Sequence, residues 1–214
     1  VSDNVAFVWE AGNREGVARA LEGAAHVTKL AFVVTRVAAA PLEPRGAVGE
    51  YDRRTGRYTL YTGIQAPHAL RTLLAEQVLH VPQSHVRVVT ADVGGSFGMR
   101  TGIYPELALV LWAAKRLGRP VKWTSDRREG FVSDEPGRDN ISRAELALDA
   151  NGTFLALRVA ITLNIGAYLT QRSALPGTNN VGGVAGVYTT PVIHVETTGV
   201  HTNTTPTGPY RGAG

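Results

Sequence analysis

Two reversals of the chain constrain its fold more than any other feature. Asp52-Arg53-Arg54-Thr55-Gly56 and Asp149-Ala150-Asn151-Gly152 each lie between two β-branched, partly alternating runs. The first joins Ala47–Tyr51 to Tyr58–Thr62, and the second joins Ile141–Leu148 to Phe154–Asn164. A short loop with a glycine at its end supplies the positive φ that a hairpin needs, so both pairs read as neighbouring antiparallel strands. Further strands are expected at Val5–Trp9, His26–Ala40, Val86–Ala91, Val121–Ser125 and Val192–Thr202. Helical spacing of apolar residues appears in Asn13–Leu21, Pro67–Leu79 and Pro105–Leu117. Asn13 suits an N-cap, Gly23 a stop, and Gly118 with Pro120 ends the third helix. Strands outnumber helices and pair with sequence neighbours, which gives an α+β fold class of mixed sheets and packed helices. No repeat of fixed period is visible, and the Pro- and Gly-containing stretch 172–190 reads as a surface excursion.

Composition excludes several function classes. The 214 residues are 43% hydrophobic, enough for one large domain or two small ones. There is no cysteine, so disulfides, zinc–thiolate sites, iron–sulfur ligation and a cysteine nucleophile are excluded within the chain. Net charge is +4, with basic residues interleaved among acidic ones, so no nucleic-acid stripe is expected. No apolar run reaches the roughly 18 residues of a membrane span. Val1 is followed by neither a basic nor an apolar leader pattern, and a cytoplasmic location is expected. The closing Pro209-Tyr210-Arg211-Gly212-Ala213-Gly214 puts an aromatic and an arginine in a glycine loop, which reads as the middle of a working segment and the chain as an excerpt.

The most informative segment is Gly94-Gly95-Ser96-Phe97-Gly98, between an expected strand and a helix. Glycines there let backbone amides converge on ligand oxygens. Two readings are open: a ligand-cradling loop, or a tight turn with Phe97 plugging the core. The loop lacks the Gly-Lys-Ser/Thr of a nucleoside triphosphatase and the G-x-G-x-x-G of a dinucleotide site. Gln65, just before a helix, can bond across a site or serve as an ordinary polar residue at a helix start. Pro41-Leu42-Glu43-Pro44-Arg45 fixes two opposite charges on an extended path, paired or solvated.

The ordered motifs P-L-E-P-R (41–45), E-Y-D (50–52), Q-A-P-H (65–68), G-G-S-F-G (94–98), Y-P-E (104–106) and P-Y-R-G-A-G (209–214) together resemble the molybdenum-binding large subunit of the aldehyde oxidase/xanthine dehydrogenase family. The resemblance covers essentially the whole chain and is nearest the bacterial, carbon monoxide dehydrogenase-like branch. It implies a first molybdopterin-binding subdomain over 1–202, and a loop over 203–214 leading into the remainder of a large subunit. It implies cofactor contacts from Gly94, Gly95, Ser96, Phe97 and Gly98, from Gln65 beside an oxo ligand, and from Arg211. The metal is held by the cofactor, so no protein metal ligand is expected. The implied reaction is hydroxylation of a small-molecule substrate with oxygen drawn from water. The implied cofactor is molybdopterin in its cytosine dinucleotide form, carrying molybdenum, and the implied partners are iron–sulfur and flavin subunits or domains.

The family's general base is a glutamate far toward the C-terminus that no glutamate here matches, so no catalytic residue is assigned. Carbon monoxide dehydrogenases carry a cysteine near a copper–molybdenum centre. With no cysteine and a different P-Y-R-G-A-G loop, carbon monoxide oxidation is not expected. Purine-handling relatives carry an acidic residue where Thr101 stands, which disfavours a purine and leaves aldehydes or N-heteroaromatics. The competing readings are a phosphate- or nucleotide-binding domain using the same loop, and a non-catalytic interaction domain with an empty pocket. As an excerpt, the chain is expected to be inactive and free of cofactor when isolated.

Overall fold

The computed structural model describes residues 4–179 and 183–212. Among these, the chain forms two compact units: one comprises Val1–Ala38 with Glu135–Gly214, the other Ala39–Asp134.

The first unit is built on a five-stranded sheet. Its strands are β1 (Val5–Gly12), β2 (His26–Val34), β7 (Asn140–Leu148), β8 (Phe154–Gly166) and β9 (Val192–His201), in the order β1-β9-β8-β7-β2. The hairpin β7–β8 lies where the turn sequence places it, with Gly152 at φ 85°. By contrast, β8 and β9 run parallel. Strand β2 is shorter than its β-branched composition predicts. It ends at Val34 opposite Asn140, because Arg138 and Asp139 take φ of 66° and 70° and interrupt the partner strand. One further bridge, Val37 to Gly137, closes beyond the break. Helix α1 (Arg14–Gly23) is capped by Asn13, whose side chain accepts the Gly16 N–H at 2.8 Å. Its Val17 is buried with Ala147 and Ala156 of the sheet.

The second unit carries the sheet β5-β4-β3-β6, with β3 (Gly46–Asp52), β4 (Arg57–Thr62), β5 (Val86–Val89) and β6 (Val121–Thr124). The β3–β4 hairpin turns through Gly56 at φ 68°, as its sequence predicts. Strand β5 is parallel to β4 and ends at Val89, short of the expected Ala91. Helix α2 (Pro67–Leu73) continues as a π-helical turn, Leu74–Leu79, stopped by His80 at φ 52°. Helix α3 (Pro105–Leu117) matches its expected bounds and stops at Gly118, φ 67°. It buries Leu107, Val110, Leu111 and Ala114. The unit's core joins Leu107, Val110 and Leu111 to Leu60, Leu70, Leu74 and Met99. Two short helices lack a sequence signal: α4 (Arg127–Ser133) in this unit and α5 (Leu175–Thr178) in the first. No helix among the described residues is long and apolar enough to cross a membrane.

Candidate cofactor site

The glycine loop bends through three left-handed residues within four: Gly95 at φ 102°, Phe97 at 57° and Gly98 at 105°. A β-carbon at Gly95 would lie 3.1 Å from Pro41 Cβ and 3.3 Å from the Phe97 ring, and one at Gly94 would overlap Glu43 Cβ. Glycine is therefore required at Gly94 by close approach and at Gly95 and Gly98 by backbone conformation. Phe97, at φ 57°, lies in the narrower left-handed well that a non-glycine residue can enter at a cost of about 1–2 kcal/mol. Its side chain does not plug the core: it is 38% exposed. The left-handed backbone turns the ring outward beside Gly95, and Met99 fills the core instead, at 1% exposure.

Gln65 is tied into this loop. It sits between β4 and α2, with its N–H donating to the Arg100 carbonyl at 3.0 Å. Its Oε1 accepts the Gly98 N–H at 2.9 Å and the Ser96 hydroxyl. A backbone N–H can only donate, so Gly98 fixes which end of the carboxamide faces the loop. Ser96 Oγ accepts the Arg100 N–H at 3.0 Å, which leaves its own proton for Gln65. Gln65 Nε2 is thereby turned away from the loop and meets no protein acceptor among the described residues. The Gly95 and Ser96 amide N–H groups likewise have none among them.

The loop rests on a charged support whose buried member, Arg100, sequence reasoning did not single out. Arg100, 2% exposed, donates to Glu43 Oε1 at 3.2 Å, to the Pro44 carbonyl at 3.0 Å and to the Glu43 carbonyl. Glu43 also accepts the Gly94 N–H, and its own N–H donates to the Gly94 carbonyl at 3.2 Å. Burial opposes ionisation of Glu43, but the Gly94 N–H and the Arg100 guanidinium outweigh it and hold the carboxyl below its ordinary range. Arg45 makes a second hub: Asp134 at 2.5 Å, Glu106 at 2.9 Å, Ser133 at 2.9 Å, and the Tyr104 ring 3.8 Å from the guanidinium carbon. Burial works against its charge, while Glu106 and Asp134 overcome that and raise its pKa. Glu43 and Arg45 therefore pair with partners elsewhere in the unit, not with each other. Glu43 and Glu106 are held in ion pairs, an arrangement that does not suit a proton-shuttling base.

Arg211 lies in the first unit, on the loop that follows β9. Arg138 holds that loop, donating to the Tyr210 carbonyl at 2.9 Å and the Arg211 carbonyl at 3.3 Å, with its guanidinium 5.5 Å from the Tyr210 ring centre. Arg211 has φ 26° and an exposed side chain. Ala213 and Gly214 of the same motif lie outside the described residues.

A carboxamide of fixed orientation thus lies beside a left-handed loop whose Gly95 and Ser96 amides meet no protein acceptor among the described residues, a set of donors suited to an oxygen-rich group. Residues 1–214 match the molybdopterin cofactor-binding domain throughout, and the chain belongs to that family. It is 38% identical over 197 residues to the 6-hydroxypseudooxynicotine dehydrogenase complex subunit gamma of Paenarthrobacter nicotinovorans, covering 92% of this chain and 24% of that one. It is 35% identical over 209 residues to the carbon monoxide dehydrogenase large chain of Hydrogenophaga pseudoflava, covering 96% and 26%. The structure superposes on quinoline 2-oxidoreductase from Pseudomonas putida 86 with a TM-score of 0.90 at 33% identity, over 98% of this chain and 27% of that one. The chain thus spans about a quarter of the length of the relatives it matches.

Proposed function

We propose that this chain contributes to the large subunit of a molybdenum hydroxylase that inserts water-derived oxygen into an N-heteroaromatic or an aldehyde. The observation that carries the reading is the locked carboxamide of Gln65, whose Nε2 has no protein acceptor among the described residues. When bound, the molybdenum cofactor supplies two-electron redox chemistry. The chain's own residues orient it. Gln65 Nε2–H and the Gly95 and Ser96 amides donate to its oxygens, and the absence of side chains at Gly94, Gly95 and Gly98 permits close approach. Because Ser96 and Gly98 hold Gln65 beforehand, its donor is already oriented when the group arrives. Arg211 is given a charge-donating role on the P-Y-R-G-A-G match alone.

The cytosine dinucleotide form of the cofactor follows from the resemblance to the bacterial branch. Relatives named for a nicotine derivative and for quinoline favour an N-heteroaromatic substrate. Carbon monoxide is disfavoured because no cysteine is present to support a copper–molybdenum pair. Iron–sulfur and flavin partners for electron transfer follow from the same family resemblance.

Metal analysis of the protein in its native assembly tests the reading. About one molybdenum per chain is expected, with the 214 residues alone holding none. Gln65→Ala is expected to lower turnover at least about tenfold while the assembly stays folded, since one charge-assisted bond to a reacting group is lost. A native assembly without molybdenum, or unchanged turnover in Gln65→Ala, overturns it.

A further inference from the structure

A recess of about 760 Å³ runs along β5 in the second unit, between the β3–β4 turn and α2, and includes no residue of the glycine loop. Its wall carries Arg54, Arg57, Arg71 and Arg87, with His68, against one carboxylate, Asp52. Asp52 is engaged locally, accepting the Arg54 N–H at 2.9 Å and the Thr55 hydroxyl at 2.7 Å. None of the four guanidiniums forms an ion pair with a carboxylate among the described residues. The buried arginines Arg45 and Arg100 are, by contrast, matched to acids.

Two of the four are held in place by neutral acceptors on adjacent residues of one turn. Arg57 donates through Nε and Nη2 to the Ser84 carbonyl, at 3.2 and 3.1 Å. Arg71 Nη2 donates to Gln83 Oε1 at 3.2 Å, and Gln83 is fixed in turn by its Nε2 bond to Glu76 at 2.7 Å. Neutral partners orient a guanidinium without cancelling its charge, so the turn Gln83–His85 gathers two oriented, uncompensated cations. Arg87 follows on β5, and neither its side chain nor that of Arg54 has a hydrogen-bond partner among the described residues. Arg71 Nε and Thr90 Oγ1, on the same wall, are buried without a hydrogen-bond partner among the described residues. Between the charges lie Val86, Val88 and Pro67, which give the recess an apolar floor. Its volume lies in the range of small-molecule pockets.

We propose that this recess binds a small organic phosphate, its phosphate oxygens on Arg57 and Arg71 and its body along β5. The test is calorimetric titration of the protein in its native assembly with pyrophosphate and, separately, with ADP. Both are expected to bind with Kd below about 1 mM at low salt, and more weakly as salt is raised. Tighter binding of ADP than of pyrophosphate supports an organic body seated along β5, and equal binding overturns that part of the proposal. Arg57→Ala and Arg71→Ala are each expected to weaken binding about tenfold. Arg87→Ala, which breaks no internal bond, provides a variant whose folding is not at issue and should weaken binding in the same direction. No heat up to about 10 mM of either probe overturns the proposal. So does binding that all three variants leave unchanged, or preferential capture of an acidic peptide, which would make the recess a protein-docking groove.

Discussion

Gln65 owes its orientation to two donors on a loop that lies more than thirty residues further along the chain, and Glu43 holds that loop from below through Gly94 and Arg100. This places a titratable group against the glycine loop. Glu43 is more acidic in the folded chain than in an unfolded one, so its stabilisation is present above the unfolded carboxylate pKa of about 4.3 and is lost as pH falls through the lower folded value. The melting temperatures of the native chain and Glu43→Gln should therefore differ most near neutral pH and converge in acid. A difference that stays constant from about pH 7 to pH 3 would show that the Glu43 charge does not support the loop. Residue type alone left the glycine loop and Gln65 open, and it was the order of motifs across the chain that put the two at one site. Arg100 was not, because a single arginine after a glycine loop carries no mark of burial. Its partner Glu43 is separated from it by 57 positions.

At the scale of elements, α3 packs closely on β3 in the second unit. A β-carbon at Gly49 would lie 2.6 Å from the Val110 backbone, so helix and strand can be this close only without a side chain there. Backbone cannot yield as a flexible side chain does. Gly49→Ala is accordingly expected to cost about 1–3 kcal/mol in urea unfolding. A change within about 0.5 kcal/mol would mean the two elements part without strain. Local pairings were readable because both strands and their turn are contiguous, as in Tyr51↔Tyr58 of the first hairpin. The parallel pairs β4–β5 and β8–β9, and the pairing of β2 with β7, depend on residues far apart in sequence and leave no periodicity to detect. Helix α4 spans seven residues, too few for a helical period to declare itself.

At the scale of the molecule, the second unit enters and leaves the first at neighbouring points. Val37 and Gly137 exchange backbone bonds of 3.0 and 2.8 Å on either side of residues 39–134. Inside the second unit its own two ends are tied together as well. Arg45, near the start, binds Ser133 and Asp134 at the finish. Nothing in composition marks a boundary at 38 or 134, since apolar residues and turn residues continue across both. The second unit nevertheless has the properties of an independently folding body: a sheet closed by its own helices, a core drawn wholly from its own residues, and ends held together by a buried arginine. Residues 39–134 alone should therefore unfold in a single cooperative transition. Arg45→Met, which leaves Asp134 and Glu106 without their partner, should lower that transition by about 3–5 kcal/mol. A non-cooperative 39–134, with native near-ultraviolet dichroism only when the first unit is present, would show that the insertion depends on its host to fold.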